Sequence, residues 1–394
     1  MKIKFKIFTG IILSILFLGG AVFSYCSGLF GHHLILVRTN FKHLPSWEKD
    51  QHQEALATFQ RSCTAIVKLN PNKTFSTAIP QGGKVKDWQK ICSAIEDPKT
   101  YSNSKAKKFF EFWFEPYQVR NNFNSYGLFT GYYLPKLRCS LKRGGNYLFP
   151  IYSIPNDLIK VNLGLFDRSL ANRTIVGQLQ PDGQLRPYPN RADIVNGMIH
   201  NTAKVIAWCD DQIALALAHI QGSAVVQLPN NREFLINYAI SNGRSYTSYG
   251  GILIKNKQLT SQNCSMQEIY SWLLRHPEKM DSILNKNASY VFFRILSNLD
   301  PLGSEQVSLT PKRSLAVDRR YIPLGSPIWI DTVIPSKSES LTPFCRLLIA
   351  QDTGGAIKGI IRGDVYWGSG DYAAFVAGHM KSPGKYWILL PRLK

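Results

Sequence analysis

Acidic residues are scarce in this sequence of 394 residues. It has 26 Asp and Glu against 47 Lys and Arg, a formal net charge of +21. The shortage is sharpest at the end of the chain, where residues 341–394 contain no Glu and three Asp: Asp352, Asp364 and Asp371. Any acid-dependent chemistry there has few candidates. Metal patterns are missing as well. There is no Cys-x-x-Cys and no His-Glu-x-x-His, and the eight His show no ligand spacing, so no metal site is expected. One Asp-Thr-Gly triplet occurs, at Asp352. Aspartic proteases of the pepsin type need two, so that a pair of carboxylates can share a proton, and that class is set aside. Zinc-finger spacings, RNP-type aromatic motifs and basic runs are absent, so nucleic acid is not the expected partner. The positive charge suits instead an anionic membrane or a carboxylate-rich wall surface.

Hydrophobic residues make up 44% and charged residues 19% of the chain, the balance of a globular protein with one large or two ordinary domains. Lys2, Lys4 and Lys6 precede an uncharged run over 7–31. A basic flank followed by an apolar stretch reads as an export signal over residues 1–31. Left uncut, the same stretch is long enough to act as an N-terminal membrane anchor. Of the seven Cys, Cys63 and Cys92 fall in neighbouring helix-like segments of an exported chain and form the candidate disulfide.

Ser46 is positioned to cap a helix running to about Lys68, with Leu56, Phe59, Cys63, Ile66 and Val67 on one face. From Phe109 onward, short apolar or alternating runs are separated by Gly, Pro and Asn, for example AVVQL (224–228), FLINYAI (234–240) and SLAVD (314–318). Such spacing predicts a mainly β fold, a small antiparallel barrel or sandwich. Two helices interrupt it. One begins at Asp210-Asp211 and stops at Gly222; the other opens with a capping box at Ser265.

Asp364 stands before Val365-Tyr366-Trp367, a flank whose desolvation raises a carboxyl pKa toward that of a general acid. Asp352 enters Thr353-Gly354-Gly355, whose N–H groups favour its anion. Aromatic residues reach 12%, several of them in Gly-rich stretches such as NGRSYTSYGG (242–251), and aromatic faces suit sugar rings.

Twelve segments in order, among them TGYY (130–133), HIQGS (219–223), NGRSY (242–246), LTPKRSLAVD (309–318), AQDTGGAIKG (350–359) and RGDVYWGSG (362–370), resemble the membrane-bound lytic murein transglycosylases of the A type. The resemblance implies a double-psi β-barrel catalytic domain, with N-terminal helices, assembled from residues 32–133 and 299–394. A smaller β-rich domain, residues 134–298, is inserted, and the groove runs between the two. It implies cleavage of peptidoglycan between N-acetylmuramic acid and N-acetylglucosamine, with formation of 1,6-anhydromuramic acid. Asp364 would be the acid and Asp352 its neighbour in the catalytic pair. Thr130, Tyr132, Tyr133, Gln221, Ser223, Asp318 and Tyr366 would bind substrate. No cofactor is implied. The expected protein is a monomer on the periplasmic side, outer membrane-associated or N-terminally anchored, with glycan strands as partner. The rival reading is a non-catalytic wall-binding protein on an expansin-like barrel.

Overall fold

A computed structural model describes residues 31–393, apart from 172 and 339. The expected export segment thus lies outside the described residues except for Gly31. Among the described residues no helix is long and apolar enough to cross a membrane.

Strand β1 (Leu34–Arg38) leads into two 3-10 turns and then helices α1 (His52–Ile66), α2 (Val85–Ser93) and α3 (Asn103–Trp113). The helix thus starts after the expected cap. Ser46 adopts a left-handed conformation (φ 57°) and caps nothing. Phe41, Leu44 and Trp47 sink into the core and hold this stretch in tight turns. Leu56, Phe59, Cys63 and Ile66 form the buried face of α1, while Val67 is exposed. A Cys63–Cys92 disulfide ties α1 to α2.

Strands β2 (Phe114–Asn121) and β3 (Gly127–Leu134) follow. The chain then builds a second body. It comprises β4 (Lys136–Ser140), β5 (Phe149–Tyr152), β6 (Leu158–Asn162), β7 (Thr174–Leu179), β8 (Leu185–Pro187), α4 (Arg191–Val195), β9 (Val205–Cys209), α5 (Gln212–Gln221), β10 (Ser223–Gln227), β11 (Glu233–Ser241), α6 (Tyr249–Lys255), α7 (Met266–Arg275), α8 (Pro277–Leu284) and β12 (Val291–Leu296). The remainder returns to the first body as β13 (Ser314–Val317), β14 (Pro327–Pro335), β15 (Leu341–Asp352), β16 (Arg362–Ser369), α9 (Asp371–His379) and β17 (Lys381–Pro391).

The first body is a closed barrel in the order β17-β14-β15-β13-β16-β3, completed by pairing of β3 with β17, while β2 and β1 extend the sheet beyond β17. Two of its pairs are parallel, β13 with β15 and β16 with β3, which corrects the expectation of an antiparallel barrel. Parallel neighbours need long crossovers. The whole second body sits in the connection from β3 to β13, and β14 lies between β13 and β15. The second body has a six-stranded sheet, β12-β11-β10-β4-β9-β5, and a three-stranded one, β6-β7-β8. Large apolar side chains fill the barrel, with Phe129, Trp329, Val365 and Tyr386 all buried.

Candidate active site

The site starts from strand register. Thr130 of β3 is paired with Asp364 of β16, and Tyr132 with Tyr366. Side chains alternate across a sheet, so these four share one face. Val365 and Trp367 take the other face and pack in the barrel core. Of the expected aromatic flank, therefore, only Tyr366 accompanies Asp364. Gly131 is required where the strands meet, because a Cβ there would lie 2.6 Å from Trp367 Nε1.

Asp364 Oδ1 accepts a hydrogen bond from Thr130 Oγ1 at 2.5 Å. Arg362 Nη2 donates to that same hydroxyl at 2.8 Å. A guanidinium can only donate, so the Thr130 proton must point to Asp364. Burial raises the Asp364 pKa above the usual carboxylate value, while Arg362 and Thr130 pull it down and Asp352 pushes it up.

Asp352 ends β15 and is held more completely. Its Oδ1 accepts from Thr353 N at 2.8 Å, Ser304 N at 2.9 Å and Ser304 Oγ at 2.9 Å. Its Oδ2 accepts from Tyr132 Oη at 2.8 Å. These donors lower its pKa, yet burial outweighs them and the net shift is upward. The expectation of a simply stabilised anion is corrected on that point.

The facing wall comes from the second body. Asp211 caps α5 by accepting from Ala214 N, and Gly222, at φ 78°, ends the helix in the left-handed region that glycine tolerates. Buried Arg191 donates to His219 Nδ1 at 3.1 Å, which leaves the ring proton on Nε2. Burial, reinforced by the Arg191 charge, holds the His219 pKa well below its usual value, so the ring is neutral. Gln221 Oε1 accepts from Tyr133 N at 2.9 Å and joins the two bodies. Ser223 Oγ accepts from Asn237 Nδ2 at 2.7 Å.

Between the walls lies a cleft of about 700 Å³, lined among others by Tyr132, Tyr133, Gln221, Ser223, Asp352, Asp364 and Tyr366. Thr130 stands behind Asp364 and spends its hydroxyl there. Asp318 does not belong to the lining. Its side chain is 1% exposed, paired with Arg320 at 2.6 Å and bonded to Gly359 N at 2.9 Å; it fastens two loops. Sequence reasoning passed over Ser304, Arg362 and Asn237. Arg362 lies two residues before Asp364, hence on its face, and Asn237 is the one polar residue in FLINY (234–238) other than the terminal Tyr; Ser304 carried no signal.

Residues 128–294 match the family described as the MltA specific insert domain, and residues 313–390 match the 3D domain. A membrane-bound lytic murein transglycosylase A homolog of Buchnera aphidicola subsp. Schizaphis graminum is 33% identical over 264 residues, 66% of this chain and 65% of that protein. The membrane-bound lytic murein transglycosylase A of Escherichia coli K12 is 29% identical over 265 residues, with the same shares. The match thus spans just under two thirds of these curated relatives. Among solved structures, the membrane-bound lytic murein transglycosylase from Agrobacterium tumefaciens superposes with a TM-score of 0.79 at 28% identity, covering 91% of this chain and 98% of that one. MltA from Neisseria gonorrhoeae gives 0.75 at 30% identity, covering 93% and 95%.

Proposed function

The chain belongs to the membrane-bound lytic murein transglycosylase A family, and from that premise we propose that its cleft cuts peptidoglycan glycan strands between N-acetylmuramic acid and N-acetylglucosamine, without water. The unequal hydrogen bonding of the two carboxylates carries this reading. Among the described residues Asp352 is gripped by four donor contacts, whereas Asp364 accepts one, at Oδ1. A hydrolytic glycosidase needs two working carboxylates, one as acid and one to activate water or to attack the sugar. Here one is free for proton transfer and the other is committed to holding the site together.

One carboxyl suffices if the nucleophile belongs to the substrate. Asp364, whose pKa burial raises, in its protonated form gives the proton to the glycosidic oxygen as the bond to C1 breaks. The resulting carboxylate takes the proton from the muramyl C6 hydroxyl, and O6 bonds to C1. One C–O bond breaks and one forms, the proton returns to Asp364, and no water is consumed. An attached hydroxyl has a high effective concentration, which favours ring closure to the 1,6-anhydro sugar. Thr130 aims the Asp364 carboxyl, and Asp352 fixes Tyr132 against it. Tyr132, Tyr133 and Tyr366 line the cleft in which the sugars would lie. The relatives' names and the charge of +21 support work in the cell envelope, at an anionic membrane or wall surface.

Digestion of purified murein followed by mass analysis tests the proposal. Fragments ending in 1,6-anhydromuramic acid are expected. Ends heavier by one water would mean hydrolysis and overturn it.

A further inference from the structure

We propose that Arg319 and Lys358 form a carboxylate-binding rim that reads the peptide substituent of the muramyl residue in the cleft; the proposal rests on the glycan-cleaving reading above. Both side chains line the cleft and are exposed. The adjacent Arg320, in contrast, is locked onto Asp318.

The rim is assembled by the residue expected to bind sugar. Asp318 Oδ2 takes Arg320 Nη2 on one side and Gly359 N on the other. That joint brings together the turn after β13 and the Gly-rich loop after β15. Arg319 and Lys358 each lie one residue from that joint, and both line the same cleft. Neither forms an ion pair among the described residues, so both charges remain available to a ligand.

Charge balance names the ligand's sign. Asp352 and Asp364 are the acids lining the cleft, and burial lifts the pKa of both. Against them stand Arg244, Arg319 and Lys358 on the lining. Behind it sits buried Arg191, whose partners are carbonyls and a neutral imidazole rather than a carboxylate. The cleft is thus positive. An uncharged sugar polymer gains little from such a field, whereas an anionic substituent gains both attraction and orientation.

Position selects the substituent. Ala316 pairs with Asp364 across β13 and β16, and Arg319 stands three residues farther along, in the turn that follows β13, so at most about 10 Å of chain separates it from that pair. That is the reach of a group carried on the sugar beside the cut bond, not of a distant ring. In murein, the muramyl residue carries a peptide there, and its carboxylates are the matching anions.

The test uses the full chain with Arg319→Gln and Lys358→Gln combined, assayed on peptide-bearing murein and on the same glycan stripped of peptide. Both residues are exposed, and unchanged melting would show that the variant folds. The ratio of kcat/KM for the two substrates should fall by about tenfold, through KM, the order that two partly exposed ion pairs supply. The charge-keeping Arg319→Lys with Lys358→Arg should restore most of it. A ratio equal to that of the parent protein would overturn the rim. A parent protein inert on both substrates would instead sink the glycan-cleaving reading beneath it.

Discussion

Glu305→Gln should stabilise the protein in a pH-dependent way. Glu305 follows Ser304, the residue that grips Asp352, and its Oε2 accepts from Ser62 Oγ of α1 at 2.6 Å. Ser62 Oγ in turn accepts from Gln351 Nε2 at 3.0 Å. Burial raises the Glu305 pKa from 4.5 to about 7, against the smaller pull of Ser62. The folded state therefore holds a proton that the unfolded chain releases between those two values. Stability from this group is fully present below pH 4.5 and is lost as pH climbs to about 7. At 1.36 kcal/mol per pH unit, the gap corresponds to about 3 kcal/mol. Gln keeps the acceptor for Ser62 and cannot ionise. In urea unfolding followed by tryptophan fluorescence, the variant should gain up to about 3 kcal/mol over the parent protein at pH 8, and almost nothing at pH 4.5. Other titrating groups, Asp352 and Asp364 included, are common to both proteins and cancel in the difference. A gain of the same size at both pH values, or a loss at both, would refute the reasoning.

The two aspartates should separate by mutation. Asp364→Asn keeps size and removes proton transfer, so release of anhydro products should drop by at least ~10³. Asp352→Asn keeps the shape of a positioning group and should leave turnover about 10-fold to 100-fold lower. An inactive Asp352→Asn beside an active Asp364→Asn would reverse the roles. The bridge between Cys63 and Cys92 spans 29 residues of sequence, so replacing both by Ala should lower unfolding free energy by about 3 kcal/mol; no change would mean that the thiols remain unpaired.

Much of the strand pattern was readable because it is local. AVVQL and FLINYAI became β10 and β11, and SLAVD became β13. Capping was readable where nothing competed for the cap, as at Asp211 and Ser265. At Ser46 it was not, because burial of Phe41, Leu44 and Trp47 determined the backbone first. Barrel closure left no local trace. It depends on Lys381–Gly384 pairing with Gly127–Thr130, far apart in sequence, and the parallel pairs arise from the same long crossovers. Asp318 misled for a related reason. The resemblance marked Asp318 as a substrate-binding group, but Arg320, two residues on, turns back and takes both of its oxygens.

The proposed assignment of Asp364 as acid has a different physical basis from the one its neighbours in sequence suggest. An aromatic flank should disfavour its charge, yet Val365 and Trp367 face the core, and burial raises Asp352 as well. Desolvation therefore acts on both carboxyls and cannot by itself choose between them. The donors can. Thr353 and Ser304 place two N–H groups and a hydroxyl on one oxygen of Asp352, and Tyr132 takes the other. A carboxylate with so many donors gains little by turning toward a substrate and loses bonds when it does. Asp364 is bonded through a single oxygen to a hydroxyl that Arg362 orients, and among the described residues its second oxygen has no donor, which is what the proposed proton transfer requires. What separates the two proposed roles is the number of hydrogen bonds each acid must break to react, and three of the four on Asp352 come from Ser304 and Tyr132, residues remote in sequence from both acids.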